Sequence, residues 1–174
     1  RLDAVCINPS TIYGAADAEK GSRKTQLRVA QGKMPFYTTG GVSVVAVEDV
    51  VEAAFQGWQK GRTGERYIIS GDNLLIKDLF RLIAFSAKVE PPKICLPDLL
   101  VNTLGATGDI LAKAGIPFLL NSESARVATM FHWFDNTKIR REFGIEPKPA
   151  AVAIQNSVNW MKENGLLGKA DEKN

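Results

Sequence analysis

Few side chains in this sequence have the types and spacings that catalysis requires. The single histidine, His132, stands between Phe131 and Trp133, which favours a residue packed against aromatic rings over a catalytic base. No second histidine and no cysteine pair lies near it, so a zinc site would lack ligands. The sequence has no Gly-x-Ser-x-Gly turn, no phosphate-binding Gly-x-x-x-x-Gly-Lys loop and no acidic pair placed on one face. We therefore predict neither a catalytic residue nor a metal ligand in this chain.

The cysteine usage indicates a reducing compartment. Cys6 and Cys95 are the two cysteines, and each lies within an apolar run. Such a pair predicts reduced, buried thiols in a cytoplasmic protein more readily than a disulfide framework or a metal site.

Length and charge limit the class of protein. The chain has 174 residues, enough for one globular domain, and its 22 basic and 19 acidic residues leave a net charge of +3. The basic residues are scattered, which disfavours a nucleic-acid-binding module. No window approaches the roughly 18 apolar residues of a membrane span, and no leader-like segment is present.

The most informative backbone feature is Pro9, which ends an apolar, strand-like run at residues 4–7. Proline has no amide hydrogen, so it removes a ladder donor at the carboxyl end of a parallel strand, the end where α/β sheets bind ligands. We expect the amides of residues 10–12 to face a ligand. The chain enters this strand directly from Arg1, which favours a chain cut within its fold over a processed amino terminus.

The rest of the pattern predicts helices and strands in alternation, with a more helical second half. We expect strands at residues 42–47, 66–70 and 94–96, with residues 71–73 as a closing turn. Helices should cover 25–31, 50–60, a segment from 76, 122–130 and the end of the chain. Asp49 and Asp135 should each cap a helix, and Gly105 and Gly108 should divide another. The tail from residue 169 should fray.

Five short motifs follow one another along the chain. They are Ile7-Asn8-Pro9-Ser10-Thr11-Ile12-Tyr13-Gly14, Val45-Ala46-Val47-Glu48-Asp49-Val50, Gly64-Glu65-Arg66-Tyr67-Ile68-Ile69-Ser70-Gly71, Asp135-Asn136-Thr137-Lys138 and Phe143-Gly144-Ile145-Glu146-Pro147. In this order they resemble the extended short-chain dehydrogenase/reductases, the NAD-dependent epimerase/dehydratase group. Residues 8–11 and 32–35 are most similar to its dihydroflavonol-reductase-like branch, which includes hopanoid-associated sugar epimerase-like proteins.

The resemblance implies an α/β fold made of the C-terminal part of a Rossmann-type parallel sheet and a mostly helical substrate lobe. Residues 1–14 and 42–71 would belong to the sheet, and residues 15–41 and 72–168 mainly to the lobe. The family's Gly-x-x-Gly-x-x-Gly turn and Tyr-x-x-x-Lys pair are absent from this sequence. They would lie in a missing N-terminal dinucleotide-binding half, so the chain alone should be inactive.

The resemblance also implies the ligands. The complete enzyme would use NAD or NADP to oxidise, reduce or epimerise a ketone or secondary alcohol, and a homodimer is compatible with the family. The residues expected to meet the cofactor are Asn8, Pro9, Ser10, Thr11 and Ile12. Those expected to meet the substrate are Ser22, Phe36, Tyr37 and Trp133.

Apolar residues dominate the expected pocket region: Phe36, Leu99, Leu100, Ile116, Phe118, Leu119, Phe131 and Trp133. A flat or lipid-like substrate is therefore favoured over a nucleotide sugar, although the sugar-epimerase-like branch favours the opposite. A stand-alone, non-catalytic binding module is the alternative to an enzyme half.

Overall fold

The computed structural model describes residues 2–16, 22–116 and 120–167, which form short strands alternating with helices. The strands are β1 (Cys6–Pro9), β2 (Thr11–Tyr13), β3 (Phe36–Thr38), β4 (Gly41–Ala46), β5 (Arg66–Ile69), β6 (Asp72–Leu75), β7 (Ile94–Leu96) and β8 (Phe131–His132). The helices are α1 (Ser22–Ala30), α2 (Val47–Lys60), α3 (Ile76–Ala87), α4 (Asp98–Lys113), α5 (Ser122–Thr129), α6 (Thr137–Phe143) and α7 (Ala150–Glu163).

The described strands pair in three small sheets, mostly in parallel. β1 pairs with β5, β3 pairs with β7, and β4 lies between β2 and β6 with β8 also paired to it. Only the β4–β6 pair among these is antiparallel. Parallel neighbouring strands need crossover connections, and helices supply them here. The fold is therefore the mixed α/β fold that the resemblance predicted.

Two apolar cores lie on opposite sides of β4. Val44 faces the core formed with α1, α3 and α7, whereas Val45 faces the core formed with β5, α2 and α6. Val44 and Val45 are both fully buried because successive side chains of a strand point to opposite faces. The predicted apolar face of α7 is confirmed, since Ile154, Val158 and Met161 are buried.

The prediction that Asp49 caps a helix is wrong. Helix α2 begins at Val47, with Ala46 as a cap residue that makes no side-chain hydrogen bond. Asp49 instead lies buried in the first turn, where its carboxylate accepts the amide of Lys148 at 2.8 Å. The carboxylate thus connects α2 to the loop after α6, a long-range role that local spacing does not reveal.

Gly105 and Gly108 do not divide α4, which is continuous through both. At Gly105 a Cβ atom would lie 2.7 Å from the Cβ of Ala125, so the glycine lets α5 pack closely against α4. Packing against a neighbour offsets the low helix propensity of glycine.

Both cysteines are unpaired, as predicted, but exposed, which corrects the expectation of buried thiols. Cys6 lies on the face of β1 turned away from α2, and Cys95 lies in the small β3–β7 sheet. Residues 71–73 are also not a plain turn, because β6 begins at Asp72. No helix in the described part of the chain is long and apolar enough to cross a bilayer.

Candidate functional site

The segment predicted to meet a cofactor joins two sheets. Asn8 and Pro9 end β1, Ser10 follows, and Thr11 and Ile12 begin β2. The Ser10 amide donates to the carbonyl of Ile69 at 2.9 Å, so the expectation that this amide is free is wrong. The β5 strand continues the pairing past the proline, since Pro9 itself lies opposite Ile69.

The Ser10 side chain is the polar group left without a partner in this segment. Its hydroxyl is buried and makes no hydrogen bond to the described residues, and the same is true of the hydroxyls of Ser43 and Ser70. Ser70 directly follows Ile69, so the Ser10 and Ser70 backbones are neighbours at the carboxyl ends of β1 and β5. A buried hydroxyl without a partner is energetically unfavourable, and a bound polar group or water would relieve that cost.

The predicted substrate residues Phe36, Tyr37 and Trp133 lie in two parts of the fold, the first two in β3 and Trp133 directly after β8. Phe36 and Tyr37 are in β3, and the Lys77 ammonium lies 5.7 Å from the Tyr37 ring centre. The Trp133 indole nitrogen donates to the carbonyl of Leu74 at 3.2 Å, while its ring covers Gly41.

Phe36 and Trp133 are exposed and Tyr37 is half-buried, so these side chains do not line a closed cavity. A further predicted substrate residue, Ser22, is the first residue of α1. Two residues of the expected apolar pocket, Phe118 and Leu119, lie outside the described residues.

Arg23 is a buried residue of this region that the sequence interpretation missed. Its guanidinium donates to the Gly14 carbonyl at 3.2 Å, to the Gln26 side-chain carbonyl at 3.1 Å and to the Ser157 hydroxyl. Arg23 is 7% exposed, and these three acceptors among the described residues are all neutral. The contacts hold the end of the Ile7–Gly14 motif against α1 and α7. An arginine in a polar helix normally indicates an exposed face, so the sequence offered no signal for it.

Tyr13, which precedes Gly14, lies beside the same guanidinium. The Arg23 guanidinium carbon is 5.8 Å from the Tyr13 ring centre. Burial raises the pKa of the Tyr13 hydroxyl to about 12, although the Arg23 charge lowers it in part. The tyrosine therefore stays neutral at physiological pH and serves here as a packed side chain.

The two charged residues of the Asp135–Lys138 motif make contacts within the protein, Lys138 to distant residues and Asp135 to its own helix start. The Lys138 ammonium donates to Glu65 and to the Arg66 carbonyl, each at 2.7 Å, and lies 4.2 Å from the Tyr67 ring centre. The Asp135 carboxylate accepts the Thr137 amide at 2.9 Å at the start of α6, which lowers the pKa of Asp135.

His132 has a structural role as well. Its Nε2 atom lies 3.3 Å from the Val127 carbonyl oxygen, and its backbone pairs with β4. This contact gives no support for a catalytic base.

The chain is similar to curated proteins over nearly its whole length. It is 26% identical over 170 residues to sterol demethylase protein B of Methylococcus capsulatus, covering 95% of this chain and 52% of that protein. It is 25% identical over 171 residues to a candidate dihydroflavonol 4-reductase of Synechocystis, covering 95% and 50%. The chain thus spans about half the length of these relatives. No protein-family model matches it.

The chain also matches about half the length of solved structures. The crystal structure of gox2253 matches 93% of this chain with 50% of its own, at 30% identity and a TM-score of 0.79. A nucleoside-diphosphate-sugar epimerase of Pseudomonas aeruginosa and an NAD complex of a dTDP-glucose 4,6-dehydratase share the fold at 23% and 18% identity.

Proposed function

We propose that this chain is a member of the NAD-dependent epimerase/dehydratase and dihydroflavonol-reductase-like proteins, to which its relatives and structural neighbours belong, and that it supplies the substrate-binding half of a nicotinamide-dependent enzyme. Its motifs correspond to the C-terminal half of that family, so the proton-transferring Tyr and Lys and the dinucleotide turn would belong to the other half. The substrate class would be a ketone or secondary alcohol. The half-length match to the relatives supports this division.

The observation that carries the proposal is the position of residues 8–12. They span the carboxyl end of the parallel strand β1 and the start of β2, and ligands bind at the carboxyl ends of the strands in open α/β sheets. The buried, unpartnered Ser10 hydroxyl fits a polar ligand group such as a nicotinamide carboxamide, which both donates and accepts hydrogen bonds. NAD or NADP would supply the hydride transfer, and Asn8 to Ile12 would form the wall beside its nicotinamide.

Replacing Pro9 tests this assignment in the complete enzyme. Pro9→Leu adds an amide donor on the side of β1 that faces away from β5, because the amides of Cys6 and Ser10 face β5. The backbone beside the bound cofactor should therefore shift. We expect the Kd for the nicotinamide cofactor to rise about fivefold, equivalent to about 1 kcal/mol, with an unchanged urea midpoint. Isothermal titration and urea unfolding measure the two quantities.

Pro35→Leu is the matched control, because Pro35 is an exposed proline next to β3. It should leave the Kd unchanged. An unaltered Kd in Pro9→Leu would contradict the assignment of residues 8–12 to the cofactor.

We further propose that the substrate is apolar. Leu99, Leu100, Ile116, Phe131 and Trp133 are all exposed on or beside the helical half, where an apolar ligand could cover them. The names of the two curated relatives, one a sterol demethylase protein and one a dihydroflavonol reductase, support apolar ring systems over nucleotide sugars.

A substrate panel on the complete enzyme tests this preference. We expect kcat/KM for apolar ketones or secondary alcohols to exceed that for nucleotide sugars by at least about tenfold, because an apolar surface leaves sugar hydroxyls without partners. Faster turnover of the nucleotide sugars would reject the apolar pocket while leaving the cofactor assignment intact.

A further inference from the structure

We propose that helix α4 binds the surface of a lipid bilayer through one exposed, uncharged face. This face consists of Leu99, Leu100, Thr103, Leu104, Thr107 and Ile110 and is called the α4 face below. The inference concerns the surface that holds the protein, and it goes beyond the proposed function.

Helix α4 packs against α5 through a different side. Val101, Gly105 and Gly108 share that side and are buried. A Cβ at Gly105 would lie 2.7 Å from the Cβ of Ala125, so the two helices approach closely there. Among the described elements, α5 is the one that α4 contacts extensively, and it leaves the α4 face uncovered.

The charged residues of α4 lie outside the α4 face. Asp98, Asp109 and Lys113 fall within about 60° of the helix circumference, next to the side that meets α5. The Asp98 carboxylate accepts a hydrogen bond from the Thr39 hydroxyl. The Asp109 carboxylate accepts the Ser122 amide at 3.3 Å. The α4 face spans about 140° of the circumference and carries no charge.

The two threonines of the α4 face have already used their hydroxyl hydrogens. The Thr103 hydroxyl donates to the Leu100 carbonyl, and the Thr107 hydroxyl donates to the Thr103 carbonyl, both at 2.9 Å. A hydroxyl that is already hydrogen-bonded costs less to bury than a free one. The α4 face therefore offers neither a charge nor a free hydroxyl hydrogen to a polar partner.

These properties favour a bilayer over a protein as the partner. The 16 residues of α4 form a strip about 24 Å long and 10 Å wide, roughly 240 Å². A stable protein interface needs about 800 Å² from each partner and hydrogen bonds at its rim. Its strongest contacts come from Trp, Tyr and Arg, whereas the apolar residues of the α4 face are all leucine or isoleucine. The hydrocarbon of a bilayer requires only apolar area.

The helix would lie along the bilayer surface. An amphipathic helix binds in this way when its apolar face enters the boundary between headgroups and acyl chains. Lys113, at the end of α4, can extend its ammonium to the headgroups while its methylene chain stays among apolar groups. Ile116, which is also exposed, follows the helix and adds to the apolar area.

A bilayer-bound α4 would also bring the predicted substrate residues close to the membrane. Phe36 and Tyr37 are in β3, which pairs with β7, the strand that directly precedes α4. An apolar substrate dissolved in the bilayer could then reach them along Leu99 and Leu100. This last step rests on the proposed function, whereas the binding of α4 to a bilayer does not depend on it.

Flotation of the 174-residue chain with phosphatidylcholine vesicles tests the inference. These vesicles have no net charge, so the chain's charge of +3 contributes little to binding. We expect the chain to float with the vesicles, and Ile110→Glu to lower its partition coefficient at least about tenfold. Val51→Glu on α2 is the matched control, because Val51 is 65% and Ile110 68% exposed. It should change the coefficient less than about twofold.

The urea midpoint of Ile110→Glu should equal that of the unchanged chain, because the replaced side chain is mostly exposed. If this variant does not fold, Leu99→Glu should give the same loss of vesicle binding, since Leu99 is 78% exposed. No flotation of the unchanged chain, or an equal loss in Val51→Glu, would overturn the inference.

Two further results would show that a protein covers the α4 face and would also overturn the inference. One is a dimer of the chain that Ile110→Glu dissociates, and the other is a complete enzyme that does not float with the vesicles. Flotation of a complete enzyme that turns over no apolar substrate would reject the proposed substrate class and retain the binding of α4 to the bilayer.

Discussion

When the 174-residue chain is purified alone, hydride transfer from NADH or NADPH to ketones should be no faster than in buffer without protein. The sequence holds neither a Gly-x-x-Gly-x-x-Gly turn for the pyrophosphate nor a Tyr-x-x-x-Lys pair for proton transfer. In the proposed site, the side chains at the end of β1 would orient the ligand, and the proton donor would belong to the other half. Nicotinamide absorbance with a panel of carbonyl compounds measures the rate, and equilibrium dialysis measures cofactor binding.

The informative control is one joined polypeptide, in which the unmatched half of the Methylococcus relative precedes residue 2 of this chain. It is assayed at the same concentration as the chain alone. Cofactor binding by the joined polypeptide and none by the chain alone would support a divided enzyme. Hydride transfer by the chain alone, with longer contaminants excluded by mass spectrometry, would contradict the division. Tight binding of an apolar ligand by the chain alone, with no cofactor effect, would favour the alternative of a stand-alone binding module.

The parts of the fold that were predictable from sequence depend on local patterns. The β-branched run in β4, the alternation in β5 and the helical spacing of Leu79, Phe80 and Ile83 in α3 all specify structure within a few residues. The strand in residues 94–96 was also predicted correctly, because prolines flank a short apolar run. Such a pattern indicates both the type of element and the face that it buries. The prediction therefore needs no information about distant residues.

The errors concern residues whose role depends on distant partners. Asp49 matches a helix cap in its local spacing, but its partner is the Lys148 amide, 99 positions away. The amide of Ser10 was expected to be free because Pro9 interrupts the strand, yet β5 extends far enough to accept it. Short strands such as β2 and β8 were missed because two or three residues carry no periodicity. Tertiary pairing decides each of these cases.

Arg23→Met should destabilise the chain by about 2 to 3 kcal/mol, a shift of roughly 30- to 150-fold in the folding equilibrium. Methionine keeps the length of the side chain but leaves the buried Gly14 carbonyl without its donor. Gln26 and Ser157 lose less, because the Gln26 amide still donates to the Ser157 hydroxyl at 3.0 Å. Relief of the buried charge offsets part of the cost, which sets the estimate below that of a broken buried ion pair.

Urea unfolding measures the change, and Arg28→Met is its matched control on the same helix, since Arg28 is exposed. The control should change the free energy of unfolding by less than about 0.5 kcal/mol. An equal effect of the two variants would contradict a stabilising role of the Arg23 hydrogen bond to the Gly14 carbonyl.

The loss of stability at alkaline pH, which depends on Tyr13, provides a second measurement. A general loss of packing would change it in the opposite direction. Its pKa is raised from the ordinary 10.0 to about 12 by burial, and Arg23 partly lowers it. The stability that neutral Tyr13 contributes is therefore complete below pH 10 and is lost as the pH rises towards the folded-state pKa, because the unfolded chain ionises first. Without the Arg23 charge, the pKa of Tyr13 should rise further, so the total loss of stability between neutral and strongly alkaline pH should be larger in Arg23→Met than in Arg28→Met. A simple loss of packing would expose Tyr13 to water and lower its pKa towards the ordinary value, so a smaller alkaline loss would reject the role of the Arg23 charge beside this ring.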